Sequence, residues 1–195
     1  MQHISRHFHG YRDLAKSQVE GRDYRIVSER HPLSRVSIIA PHGGAIESFT
    51  SEVAVGIAKE SFSLYLFEGI RSQHNYHALH LTSHKFDEPR CLGLVADSDW
   101  VVALHGCKGV RSEALLGGLD HELLMQVGRA LENAGITVRR NGHAFPAIDP
   151  LNICNRGRRG IGVQIEMTTG LRHGRSRQTA IQAIRGVLLK LEPEN

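Results

Sequence analysis

The sequence is poor in cysteine, in aromatic residues and in long apolar runs. Its three cysteines, Cys91, Cys107 and Cys154, are odd in number, widely spaced and form no Cys-x-x-Cys pair. This pattern excludes a disulfide framework and a cysteine-built structural zinc knuckle. No run reaches the roughly 18 to 20 apolar residues that cross a bilayer, and Met1 to Gly10 carries no apolar leader. A cytoplasmic protein with no membrane partner is predicted. Also missing are His-Glu-x-x-His, Gly-x-Ser-x-Gly and Gly-x-x-x-x-Gly-Lys-Ser/Thr, the signatures of zincins, serine hydrolases and P-loop proteins.

What is present is an ordinary globular composition, 41% hydrophobic and 23% charged over 195 residues, with no repeat or low-complexity linker. One domain spanning residues 1–195, with its own core, is expected. Lysine and arginine number 24 against 20 acidic residues. That excess of 4 permits an anionic partner without identifying one.

Apolar, β-branched segments alternate with helical ones, the pattern of an α/β fold with a mixed, largely parallel sheet flanked by helices. Strands are predicted at 24–28, 36–40, 63–67, 78–82, 100–104 and 162–166. Several are continuously apolar, as expected for strands covered on both faces. Leu119, Leu123, Leu124, Val127 and Leu131 recur at helical spacing ahead of Gly135, and Ile181, Ile184, Val187, Leu188 and Leu191 repeat the pattern at the tail. A third helix is predicted after Glu47, with Ser48 or Thr50 as N-cap and Val53, Ala54, Ile57 and Ala58 facing inward.

Ligands in such folds gather at the carboxyl ends of strands. The strand 36–40 runs into Pro41-His-Gly-Gly-Ala-Ile-Glu47, whose glycines allow a tight turn that points His42 and Glu47 into one cleft. Imidazole and carboxylate form part of a catalytic zinc site, which needs a third protein ligand and an open position. His105, ending the strand Trp100–Leu104, completes a His, Glu, His set for Zn2+. The alternatives are a histidine capping a turn for His42 and a buried, hydrogen-bonded histidine for His105. Glu166, ending a third strand, is placed to act as general base, taking a proton from the attacking water and delivering it to a leaving nitrogen. A salt bridge to a local arginine is its competing role.

From Arg156 to Arg177 there are six arginines and one acid, Glu166. Guanidinium groups suit carboxylates or phosphates, and Arg156 and Arg172 are taken as the candidate substrate contacts. The same patch could face a nucleic-acid backbone without any catalysis, but the shortage of interleaved aromatics argues against single-strand binding. His74, His77, His80 and His84 resemble a metal site by count. On an extended strand, however, His77 and His80 point to opposite faces. His80, near Thr82 and Asp87, is read instead as a partner that orients a ligand, with Asp87 in the same role.

The sequence resembles the phage-type poly-γ-glutamate hydrolases, a family related in fold to the carboxypeptidase A-like zinc peptidases. The likeness runs from about Tyr11 to Arg172. It rests on Pro41-His-Gly-Gly-Ala-Ile-Glu47 with Thr50-Ser-Glu-Val-Ala, Phe67-Glu-Gly69, Leu79-His-Leu-Thr-Ser83 with Phe86-Asp-Glu-Pro89, Leu104-His-Gly106, Leu116-Gly-Gly118, and Asn152-Ile-Cys-Asn-Arg-Gly157 with Gly162-Val-Gln-Ile-Glu166, all in the same order. The resemblance implies zinc on His42, Glu47 and His105, Glu166 as general base, and hydrolysis of γ-linked amides in the anionic polymer poly-γ-glutamate. It also implies Arg156 and Arg172 against substrate carboxylates, a zinc-carboxypeptidase-like fold, and release on lysis for a phage-encoded member. One departure is Ser48-Phe49, where a small or glycine-containing pair is more usual.

Overall fold

The computed structural model describes residues 8–191. Residues 1–7, which form most of the segment read as lacking an apolar leader, lie outside them. In chain order the elements are α1 (Tyr11–Leu14), β1 (Tyr24–Glu29), β2 (Val36–Gly44), α2 (Thr50–Ala58), β3 (Ser63–Gly69), α3 (Asn75–Leu79), α4 (Pro89–Ala96), β4 (Trp100–Cys107), β5 (Glu113–Gly118), α5 (His121–Asn133), β6 (Thr137–Arg139), β7 (Val163–Thr168), α6 (Thr169–His173) and α7 (Arg177–Leu188). Single 3-10 turns occupy Ser83–Lys85, Ile153–Asn155 and Leu189–Leu191.

The strands form one sheet in the order β1-β3-β2-β4-β7-β5-β6. The central four, β3, β2, β4 and β7, run parallel, whereas β1 pairs antiparallel with β3 and β5 antiparallel with β7. This is the mixed, largely parallel sheet expected from the sequence. All six residues of β7 and the first eight of β2 are buried. Cover on both faces accounts for the apolar start of β2, whereas β7 is buried although Gln164, Glu166 and Thr168 alternate with its apolar residues.

One face packs against α2, α5 and α7 through Val53, Ile57, Leu123, Val127, Leu131, Ile181 and Ile184. Each such side chain contributes roughly 1.5–3 kcal/mol by leaving water. The other face packs Ile39, Val101 and Ala103 against Leu79, Leu81, Phe86, Leu94 and Ile153. Helix α5 starts where Asp120 accepts from the backbone N–H of Leu123, and Gly135 follows it with φ +79.

Two readings need correction. Residues 78–82 are not a strand: α3 ends at Leu79 and the chain continues as a coil to Ser83. Leu79 and Leu81 are both buried, which produced the two-residue period. Residues 78–82 join no strand of the sheet, and their two leucines pack into the core against its face instead. The N-cap of α2 is neither Ser48 nor Thr50. Phe49 holds that position in a left-handed conformation, φ 71, and Thr50 is the first helical residue. Strands β5 and β6, and helices α1, α3, α4 and α6, add to the predicted set.

Candidate metal centre

His42 lies near the end of β2, His105 near the end of β4 and Glu166 on β7, so three parallel neighbours deliver them to one end of the sheet. His105 and Glu166 are register partners across the β4–β7 ladder. Glu47 reaches the same place by a return turn. Its backbone N–H donates to the His42 carbonyl at 3.0 Å, and the Thr50 hydroxyl donates to the carbonyls of His42 and Glu47 at 3.1 and 2.8 Å. Gly44, at φ +59, makes the turn possible, since a Cβ there would meet the Gly69 carbonyl at 2.6 Å.

The donor atoms converge. His42 Nε2 faces the Leu81 carbonyl at 2.8 Å. A carbonyl only accepts, so His42 carries its proton on Nε2 and, as a neutral ring, presents a lone pair at Nδ1. That lone pair faces Glu47 Oε1 at 3.1 Å and His105 Nδ1 at 3.0 Å. The other Glu47 oxygen accepts from the Gly106 backbone N–H at 2.7 Å and lies 3.7 Å from His105 Nδ1. His80 Nε2 stands 3.8 Å from Glu47 Oε1, and its ring stacks on that of His42 at 4.1 Å. One atom each from His42, Glu47 and His80 fits within 4.8 Å.

Two imidazole nitrogens and a carboxylate turned toward one point, hydrogen-bonded to one another, form a donor set for a cation. Burial opposes protonation of His42, yet the charge and hydrogen bond of Glu47 and the Leu81 carbonyl hold its pKa above the ordinary histidine value. Burial likewise opposes ionisation of Glu47, but His42 and His105 hold its carboxyl far below the usual range. For His80, burial and the charge of His42 push the pKa down to about 3, leaving a neutral ring with an available lone pair. Nitrogen and carboxylate donors of this kind suit zinc, and the cluster fits such an ion.

Burial raises the Glu166 carboxyl, with Glu47 adding to the rise and His105 opposing it. A carboxyl moved upward is a stronger proton acceptor once ionised. The cleft holding these groups measures about 800 Å³ and is lined also by Tyr76, Ser83, Lys108, Arg139, Phe145 and Gln164. Cys107 lines it too, but burial and Glu166 lift its thiol to about 11, so it is no thiolate nucleophile.

Three residues predicted for the site lie elsewhere. Asp87 accepts from the Tyr11 backbone N–H at 2.5 Å, at the start of α1, and orients none of the donors. Arg156 follows the Ile153–Asn155 turn outside the cleft lining, close to Cys91, whose thiol burial raises and Arg156 lowers. Arg172 is buried beneath the Glu47 turn and spends its guanidinium on three carbonyls, those of Met167 at 3.0 Å, Cys107 at 3.2 Å and Ser48. The run of arginines therefore disperses: Arg159 pairs with Asp120 at 2.6 Å, Arg158 with Asp99 at 3.5 Å, and Arg177 covers the Phe49 ring at 4.5 Å. The last contact also packs the Phe49 side chain that departs from the more usual sequence. Lys108 and Arg139, on the cleft wall, escaped the sequence reading because β6 is only three residues long and Lys108 follows β4 in a loop.

A largely parallel sheet thus carries a histidine and carboxylate cluster at its strand ends, the arrangement of a hydrolase-type site on an α/β fold. The chain belongs to the Poly-gamma-glutamate hydrolase family, whose sequence profile matches residues 8–184. It is similar to the structure of a bacteriophage poly-gamma-glutamate hydrolase, with a TM-score of 0.89, 28% identity and cover of 94% of this chain and 97% of that one. A zinc-free apo structure of YndL superposes with a TM-score of 0.84 at 32% identity, covering 94% and 96% of the two chains. The UPF0714 protein YndL of Bacillus subtilis (strain 168) is 38% identical over 159 residues, 80% of this chain. The matched segment spans 62% of YndL's own length. An N-formylglutamate amidohydrolase from Ralstonia eutropha JMP134 shares the fold alone, at a TM-score of 0.53 and 13% identity over 87% of this chain and 97% of that one. Among the described residues no helix is long and apolar enough to cross a membrane.

Proposed function

We propose that this chain is a zinc-dependent hydrolase of the γ-glutamyl amide bonds of poly-γ-glutamate, with His42, Glu47 and His105 as zinc ligands and Glu166 as general base. The observation that carries the reading is the meeting of His42 Nδ1, His105 Nδ1 and Glu47 at the strand ends beside a buried carboxyl of raised pKa, in a chain of this family. Zinc, when bound, supplies a Lewis acid that polarises an amide carbonyl and acidifies water.

The chain's own groups do the rest. Glu166 takes the proton of the attacking water and hands it to the departing nitrogen, so the amine leaves neutral. The Leu81 carbonyl fixes the His42 tautomer, and Ser83 Oγ lies 3.4 Å from His105 Nε2, where its hydroxyl holds the ring in place. Lys108 and Arg139 on the cleft wall supply the cations for the α-carboxylates of a γ-linked polymer, the role assigned from sequence to Arg156 and Arg172.

The test is linkage specificity. Zinc-loaded protein is incubated with γ-linked and α-linked polyglutamate, and chain length is followed by gel filtration. Shortening of the γ-linked polymer alone is expected, with none from Glu166→Gln. Failure of fully zinc-loaded wild type to shorten the γ-linked polymer overturns the reading.

A further inference from the structure

Two polar side chains on the cleft wall beside the cluster have no part in binding the ion. Gln164 precedes Glu166 by two residues on β7, so strand alternation turns both to the same face. Asn152 opens the 3-10 turn Ile153–Asn155. Asn152, Gln164 and Glu166 are buried, 6%, 5% and 5% exposed.

The direction of their hydrogen bonds is set from one end. The backbone N–H of Cys154 can only donate, and it donates to Asn152 Oδ1 at 3.1 Å. The other arm of that amide is therefore NH2, which donates to Gln164 Oε1 at 3.0 Å. Gln164 is left with its own NH2, and Nε2 donates to Glu166 Oε1 at 3.1 Å. Turning Asn152 round would set NH2 against N–H at one end and carbonyl against carbonyl at the other. Buried polar groups left unpaired in this way are strongly disfavoured, so the sequence of donors runs one way only.

We propose that Asn152 and Gln164 form a one-way amide relay that holds Glu166 by Oε1 and leaves Oε2 for proton transfer. Gln164 is the positioning residue and Asn152 locks its orientation. A buried glutamate with free torsions would swing toward the charge of the cluster, and misplacing a reacting group by about 1 Å costs on the order of 100-fold in rate. The relay also gives a use to Asn152 of Asn152-Ile-Cys and to Gln164 of Gly162-Val-Gln-Ile-Glu166, which the ligand set and the general base leave unassigned. It rests on the reading of Glu166 as the proton-transferring carboxylate.

The experiment compares zinc-loaded wild type, Gln164→Met and Asn152→Asp. The methionine keeps the volume and removes the donor. The aspartate still accepts from Cys154 but offers Gln164 an acceptor, so the glutamine turns its carbonyl toward Glu166. Both variants should lose about 10- to 100-fold in kcat, with KM within about twofold and zinc content at the wild-type level. Unchanged kcat in both, a change confined to KM, or losses that track zinc content overturn the relay, and if one variant does not fold the other decides.

Side-chain amide exchange measured by NMR on metal-free protein gives a readout without activity. The Gln164 Nε2 protons should exchange slowly and shift on Glu166→Gln. Free exchange of that amide overturns the relay even where the polymer is cleaved. A protected amide in a zinc-loaded wild type that leaves poly-γ-glutamate intact overturns the hydrolase reading and keeps the relay.

Discussion

His42 Nδ1 and His105 Nδ1 face each other at 3.0 Å, with the carboxylate of Glu47 beside both. Because the Leu81 carbonyl occupies the proton-bearing nitrogen of His42, its Nδ1 lone pair is left either to accept a hydrogen bond from His105 Nδ1 or to bind a cation. His80 lies against the same cluster, and this makes the ligand set a testable matter.

Zinc content after equilibrium dialysis separates the two histidines. His105→Ala should empty the site, since it deletes one of the facing nitrogens, whereas His80→Ala should keep about one zinc per chain and weaken affinity by roughly the 10- to 100-fold typical of groups outside the ligand set. If His80→Ala empties the site and His105→Ala does not, the third ligand is His80.

Glu166 links pH to both rate and stability. The base must be ionised, and burial raises its pKa, so kcat/KM should rise with pH through a value above the ordinary 4.5 of a glutamate. A raised folded-state pKa means that the stability from this group is present below the unfolded pKa and is lost as pH rises through the folded one. At neutral pH the ionised carboxylate is therefore a cost to the metal-free fold. Glu166→Gln should abolish turnover while raising the melting temperature of the metal-free protein. A variant that melts lower and keeps full activity would remove Glu166 from this role.

Much of this centre was legible in the sequence. The strands carrying His42 and His105 have apolar runs that stood out, the strand carrying Glu166 shows Val163, Ile165 and Met167 in alternation, and the strand ends marked the cleft. The position of His80 was not legible. It depends on residues 75–86 folding as a helical turn and coil where burial of Leu79 and Leu81 imitated a strand. The arginines misled for a different reason. Proximity along the chain from Arg156 to Arg177 is undone by β7, α6 and a loop, which turn the side chains to separate partners. Arg139 and Gln164 became visible only once β6 and the β7 face had been placed.

Arg172 is such a relocated residue, and its consequence is mechanical. By tying the Ser48, Cys107 and Met167 carbonyls together it clamps the Glu47 turn to the end of β4. Arg172→Met should destabilise the fold by on the order of 3 kcal/mol, the cost of several buried carbonyls left unpaired, as read by urea unfolding. Zinc affinity should fall with it, because the turn positions Glu47. A normal urea midpoint with a raised KM would instead return Arg172 to substrate binding.

The most direct single measurement is the rate of poly-γ-glutamate shortening by protein stripped of metal, before and after one equivalent of zinc. No hydrolysis by the stripped protein and recovery on zinc addition are expected. Undiminished hydrolysis after stripping, or none from protein carrying one zinc per chain, would contradict a zinc-dependent hydrolase built on His42, Glu47 and His105.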